Sequence, residues 1–139
     1  MKLTNLLFLM LIFFFSSVNA EIGNFEKGKN LYDIKKYDLA KFKFEQDIVF
    51  NPKNERAYLY LAKIYNYEKN DIEEEKNLNT VLLLNPKNEE AILNLAYLKI
   101  RKSNYKETKE LIKNFKKICK NLCQQSSNLQ NKLDSVLKK

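Results

Sequence analysis

The sequence NPKNERAYLYLA at residues 51–62 returns as NPKNEEAILNLA at residues 85–96. The two copies contain both prolines of the chain, Pro52 and Pro86, and place two leucines and an alanine at matching points. Proline is well tolerated at the start of a helix, where its fixed φ angle fits and its missing N–H is not needed. The 34-residue period lies in the range of about 20 to 50 residues that indicates an array of repeated structural units. We therefore predict a repeat protein in which a helix begins just after each of the two prolines.

Composition argues against a catalytic or metal site. The chain has 139 residues, a net charge of +8, no histidine and two glycines. Histidine is the commonest general base and metal ligand, and two glycines are too few for a phosphate-binding loop. The acidic run at residues 73–75 is interpreted as a complement to a helix dipole, since nothing in the sequence places a nucleophile or metal opposite it. We predict no enzyme, no catalytic or metal-binding residue and no cofactor.

The first twenty residues have the layout of a secretory signal peptide. Lys2 is followed by an unbroken apolar run at residues 6–15, and Val18 and Ala20 form a small-x-small cleavage site. The alternative is a membrane anchor, but a helix needs about 20 apolar residues to cross a bilayer. We predict cleavage near Ala20 and export to the periplasm or the medium.

The remaining chain divides into repeats at about 21–54, 55–88 and 89–120, followed by a terminal segment at 121–139. Gly28 lies inside a helix, where glycine costs about 1 kcal/mol, and this predicts close packing against a second helix. Glu74 stands one repeat period after Ala40, so a large charged residue takes the place of a small one. A locally rotated helix, a snorkelling side chain or a lysine partner could each accommodate it. Two helix starts are also predicted, with Asp71 as one N-cap and a capping box from Ser127 in the last helix.

Two spacings connect these repeats to a known family. Tyr58, Leu61, Ala62 and Tyr65 follow the W-x2-L-G-x2-Y element, and Ala40-x3-Phe44 follows the A-x3-F element. With the 34-residue period, the chain resembles the tetratricopeptide repeat (TPR) family over about residues 21–120. The resemblance implies an α-solenoid of three TPR helix pairs plus a C-terminal capping helix. It also implies a scaffold whose inner face binds a peptide or a partner helix.

The resemblance places the first helix of each pair on the concave face. Tyrosines and cations there suit a peptide with acidic character, although solenoid helices also show such residues to water without binding anything. The chaperone-tail clamp of some TPR proteins is not carried over, because Phe25 and Leu59 stand where that clamp needs polar groups. The predicted groove residues are Lys29, Tyr32, Tyr60, Lys63, Tyr67, Asn94, Tyr97 and Arg101.

Cys119 and Cys123 are the two cysteines of the chain. In an oxidising compartment two cysteines usually pair. Four residues apart on a helix, their Cα atoms would be about 6 Å apart, within bridging range. Redox catalysis prefers the C-x-x-C spacing. We predict a structural disulfide that ends the last repeat helix and directs the capping helix.

Together these features predict a non-catalytic TPR scaffold that docks another protein outside the cytoplasm and does not bind nucleic acid. The alternative is a basic surface protein that binds anionic lipid or cell-wall polymer through Lys-rich helix faces, with affinity that falls steeply with salt. Three repeats are the minimum for a stable stack. A homodimer that buries an end face therefore stays an open alternative.

Overall fold

The computed structural model describes residues 23–138, so the predicted signal peptide lies outside the described residues. Within that range the chain forms seven α-helices and no strand. This confirms the predicted all-α repeat fold. The helices are α1 Asn24–Asp33, α2 Tyr37–Phe50, α3 Glu55–Tyr67, α4 Asp71–Leu84, α5 Glu89–Arg101, α6 Tyr105–Ile118 and α7 Gln125–Leu137.

Each helix packs mainly against its neighbours in sequence. The pairs α1–α2, α3–α4 and α5–α6 form the repeats, α2–α3 and α4–α5 join them, and α7 covers α5 and α6. Stability in such a stack comes from each unit and its nearest-neighbour interfaces. Among the described helices, none combines the length and the apolar character that crossing a bilayer requires.

Three buried clusters follow one another along the stack at the same period as the sequence repeat. Phe25, Leu59 and Leu93 occupy the same place in successive clusters, as do Ala57 and Ala91. The last cluster is closed by Leu129 and Leu133 of α7, both fully buried. The terminal helix therefore covers the apolar face that a fourth repeat would otherwise bury.

The turn inside each pair is the same backbone motif three times. Lys35, Lys69 and Ser103 adopt φ angles of 60°, 60° and 57°. The N–H of the residue after each one donates back into the preceding helix, for example from Asn70 to the carbonyl of Tyr65 at 2.9 Å. This is the Schellman arrangement that ends many helices. The backbone conformation of the turns therefore repeats every 34 residues, although the side chains at these positions differ.

Two predicted helix starts are wrong by a few residues. Asn70, rather than Asp71, caps α4 by accepting the Glu73 N–H at 3.2 Å. The terminal helix begins at Gln125, so Ser127 lies inside its first turn. Asparagine and aspartate side chains are both good acceptors for the free N–H groups at a helix start. The sequence alone therefore does not show which of two neighbouring residues is the N-cap.

The segment between α6 and α7 wraps around one carboxylate. Cys119 follows α6 directly and lies at disulfide distance from Cys123, with Cα atoms 5.2 Å apart. The Glu89 side chain accepts the N–H groups of Lys120 at 2.8 Å and Leu122 at 2.7 Å. The hydrogen bond from Leu122, supported by those from the adjacent N–H groups, holds the pKa of Glu89 below its usual value. These hydrogen bonds fix residues 119–123, which we call the cysteine turn, to the start of α5.

Candidate functional site

The first helices of the three pairs surround a solvent-open concavity of about 730 Å³. Side chains of α1, α3 and α5 form most of its wall, and the starts of α2 and α4 close one end. Its lining consists of Tyr32, Tyr37, Ala62, Lys63, Asn66, Tyr67, Lys69, Glu74, Glu90, Asn94, Tyr97 and Arg101.

Six of the eight predicted groove residues lie in this lining: Tyr32, Lys63, Tyr67, Asn94, Tyr97 and Arg101. Lys29 is absent from the lining and pairs with Asp33 of the same helix, at 2.8 Å. Tyr60 is partly buried beneath the lining, where its ring stacks on Phe44 with centroids 5.0 Å apart. Asn66 was missed, although it stands one repeat period after Tyr32 and the period alone would have found it.

A continuous chain of aromatic rings connects the core to the rim of the concavity. Tyr60 contacts Tyr32 edge-on at 5.0 Å, Tyr32 contacts Tyr37 at 5.3 Å, and Tyr37 contacts Tyr67 at 4.6 Å. Burial raises the pKa of the Tyr32 hydroxyl above its usual value. Tilted and edge-to-face contacts of this kind add to the stabilisation from buried area. The tyrosine rings at the rim are therefore held in place by ring contacts that lead back to the buried core.

Two of the three cations that line the concavity have carboxylate partners. Lys63 pairs with Glu90 across α3 and α5. Arg101 contacts Asp71 at 2.9 Å and Glu74 at 2.6 Å. Burial acts to lower the pKa of the Arg101 guanidinium, but the hydrogen bond to Asp71 and the charge of Glu74 outweigh it and raise that pKa. Within residues 23–138, Lys69 is the lining cation that forms no ion pair.

Glu74 forms part of the floor of the concavity. It is 1% exposed and accepts from the Asn66 side-chain amide at 3.0 Å as well as from Arg101. The carboxylate is therefore paired, but its partner is an arginine of the next repeat and not a lysine. Removing one partner of such a buried pair strands a charge in a poorly solvated place.

The lining offers recognition groups and no assembled reaction centre. The described part of the chain contains no group of three His, Cys, Asp or Glu side chains placed to hold a metal ion. Every buried side-chain nitrogen and oxygen in residues 23–138 has a hydrogen-bond partner. Four tyrosine rings and the amides of Asn66 and Asn94 can contact a ligand by stacking and hydrogen bonding.

Comparison with solved structures identifies domains of the same architecture. The first TPR domain of Spaghetti (RPAP3), bound to the HSP90 peptide SRMEEVD, is 20% identical with a TM-score of 0.75, over 84% of this chain and 91% of that one. The Arabidopsis OM64 TPR domain is 19% identical with a TM-score of 0.73, over 81% and 92%. The TPR2B domain of yeast Sti1, in a complex with pHsp70, is 16% identical with a TM-score of 0.72, over 78% and 90%.

These likenesses show that the chain has the TPR solenoid fold. At such identities the fold alone is shared, and the ligand of each domain belongs to that domain. No family model and no curated protein matches the sequence.

Proposed function

We propose that this chain is an exported, non-catalytic member of the TPR family that docks a peptide or helix of another protein on its concave face. The observation that carries the proposal is the concavity lined by tyrosines and asparagines from three successive repeats. Structurally similar TPR domains bound to HSP90 and Hsp70 ligands support protein docking as the general use of the fold.

The charges of the groove modify the expected partner. Lys63 and Arg101 are each neutralised inside the chain, so a strongly acidic peptide gains less from them than their sequence positions indicate. Phe25 and Leu59 are buried, so a polar clamp for an acidic C-terminal tail cannot form at their positions. We infer a partner with a mixed or near-neutral segment, held by tyrosine stacking and by hydrogen bonds to asparagine amides.

Export is proposed from the layout of residues 1–20. The test is N-terminal sequencing of the protein recovered from cell fractions. Recovery of a chain beginning at Glu21 from the periplasm or medium is the expected result. A chain that keeps Met1 and stays in the cytosolic fraction would contradict export and leave the groove proposal untouched.

Docking is tested by affinity capture from envelope extract with two matched double variants. Tyr67→Ala with Asn94→Ala removes one tyrosine ring and one amide from the lining. Phe42→Ala with Asn79→Ala makes the same kinds of change at exposed sites outside that lining. We expect a partner that the wild type and the second variant retain and the first variant loses. Equal capture by both variants would show that the concave face does not carry the binding.

A further inference from the structure

Two exposed apolar pairs stand at equivalent places on neighbouring repeats. Val49-Phe50 ends α2 and Leu83-Leu84 ends α4, and each pair is followed by Asn-Pro-Lys. Val49, Phe50 and Leu83 are 75%, 76% and 82% exposed. Scattered apolar residues on a surface are ordinary, but here the same exposed pattern recurs at the repeat period. The concave-face function does not use these residues.

The two pairs lie along one edge of the stack. Consecutive helices are antiparallel, so α2, α4 and α6 end where α1, α3, α5 and α7 begin. The contact of Arg56 with Phe25, 4.3 Å from guanidinium carbon to ring centroid, joins the starts of α3 and α1 directly. We call this side the loop edge and define it by residues 49–53, 83–87 and 116–122. The described chain also begins at this edge, at Gly23.

The loop edge carries unpaired positive charge. The exposed lysines there that form no ion pair within residues 23–138 are Lys53, Lys87, Lys116, Lys117 and Lys120.

The nearby carboxylates are mostly engaged inside the protein. Asp47 accepts from Asn51 and Asn54, and Glu89 accepts from the backbone of the cysteine turn. Glu55 accepts from the side chain of Asn85, at 2.9 Å. Glu26, in the first turn of α1, is the exposed exception. The donors to the engaged carboxylates are neutral groups, so these carboxylates keep their charge. The loop edge as defined nevertheless contains five lysines and no acidic residue, and its net character is apolar and basic.

We propose that the loop edge docks on an anionic lipid bilayer, a function separate from peptide binding on the concave face. Apolar side chains inserted at the headgroup boundary and lysines facing anionic lipid each contribute to such binding. A second copy of this chain fits the edge poorly, because face-to-face contact would bring the unpaired lysines of both copies together. Docking through this edge leaves the concavity open to solvent.

The absence of tryptophan from the chain allows a local fluorescent reporter to be introduced. Phe50→Trp places the reporter on the loop edge. Phe42→Trp places it on the same helix, also exposed, about 12 Å further from the edge at 1.5 Å per residue. Each is placed in the full chain and mixed with vesicles of phosphatidylcholine, with or without phosphatidylglycerol, that carry brominated acyl chains.

We expect brominated phosphatidylglycerol vesicles to quench the reporter at position 50 and to leave the reporter at position 42 nearly unchanged. An apolar anchor in residues 1–22 would also bring this edge near the bilayer, but it would not require anionic lipid, so the zwitterionic vesicles separate the two modes of binding. Equal quenching at both positions, equal quenching by purely zwitterionic vesicles, or none at position 50 would overturn the proposal. So would burial of position 50 by an envelope protein in the absence of lipid.

The lysines are tested with two variants of equal net charge. Lys53→Gln with Lys87→Gln removes two cations from the loop edge. Lys106→Gln with Lys109→Gln removes two exposed cations from the opposite end of α6. At about 1 kcal/mol per lysine near an anionic surface, the first variant should lower the vesicle partition coefficient about fivefold per lysine. Equal losses of the partition coefficient in the two variants would show that the binding is general charge attraction, and this would contradict docking through the loop edge.

Discussion

The two junctions of the stack are built from different chemistry on the same helical frame. Between the first and second repeats, Phe25, Phe44 and Tyr60 form an aromatic cluster. Between the second and third, Arg101 reaches Glu74, and Lys99 pairs with Glu75 at 2.7 Å. The aromatic junction excludes water through packed rings, while the ionic junction adds charged pairs to a buried cluster of aliphatic side chains.

One position shows the difference most clearly. Ala40, Glu74 and Thr108 hold the same place in the three successive repeats, and all three are buried. Ala40 needs no partner, Thr108 donates to the carbonyl of Asn104 at 2.9 Å, and Glu74 needs two donors from two repeats. The frame therefore accepts a buried charge where the neighbouring repeat can supply its counter-charge.

The largest effect is expected from breaking the ionic junction. Arg101→Ala leaves Glu74 with Asn66 as its remaining donor, and we expect a loss of about 2–3 kcal/mol in the free energy of unfolding. The expected loss is at the low end for a buried pair because the Arg101 side chain is 36% exposed. Urea denaturation measures it. Lys63→Ala, which breaks the more exposed pair with Glu90, should cost under about 1 kcal/mol. Equal losses would refute the special role of the buried carboxylate.

A second change tests the packing of the aromatic junction. A Cβ atom on Gly28 would lie 2.8 Å from the Phe44 ring, which confirms the predicted close packing. We expect Gly28→Ala to cost about 1 kcal/mol, since overpacking exceeds the gain in helix propensity. At the equivalent positions the second repeat has Ala62 and Leu78.

Phe44→Leu should therefore relieve the clash, and a double-mutant cycle of Gly28→Ala with Phe44→Leu should give a favourable coupling of about 1 kcal/mol. Additive losses in this cycle would mean that the ring does not set the requirement for glycine.

The turns offer a test of what the repeats share. Lys69 adopts a left-handed backbone conformation, which is unfavourable for a residue with a Cβ atom. We expect Lys69→Gly to raise the free energy of unfolding by about 0.5–1 kcal/mol, after the entropic cost of glycine is deducted. Lys35→Gly should act alike, and Lys53→Gly, where φ is negative, should not stabilise. A loss of stability at position 69 would contradict the strained turn.

Acid should weaken the ionic junction by a smaller amount. Hydrogen bonds from Lys102 and Lys99 hold the pKa of Glu75 below 4.5, its ordinary value. A carboxylate with a lowered folded pKa stabilises the fold fully above its unfolded pKa, and that contribution is lost as pH falls through the folded value. Thermal unfolding of the wild type should therefore lose more stability below pH 4.5 than Glu75→Gln does. Parallel pH profiles would show that Glu75 contributes nothing to the junction.

Much of the fold was predictable because its signals are local. The repeat period, the two Asn-Pro-Lys segments and the spacing of Ala40 and Phe44 all report on one or two helices at a time. Gly28 was predictable for the same reason, since a glycine inside a helix indicates a close neighbour. The partner of Glu74 was not, because Arg101 lies 27 residues away in another repeat.

The location of the site could be predicted from the sequence better than the residues that line it. The TPR pattern places the first helices on the concave face, and the period carries Tyr32 onto Asn66. Sequence does not show that Tyr60 turns its ring onto Phe44, or that Lys63 and Arg101 are neutralised from neighbouring repeats. The packing of Tyr60 and the two sets of ion pairs depend on side-chain directions and on contacts between residues that are distant in sequence.

The most direct test of the central claim, that the concave face docks another protein, is site-specific photo-crosslinking in the producing cell. A benzophenone amino acid replaces Tyr67, which is 66% exposed in the groove, or Phe42, which is 53% exposed on the outer face of α2. A discrete protein adduct from position 67 that is absent from position 42 is the predicted result. Adducts from position 42 alone, or none from position 67 while the chain is folded and exported, would contradict it.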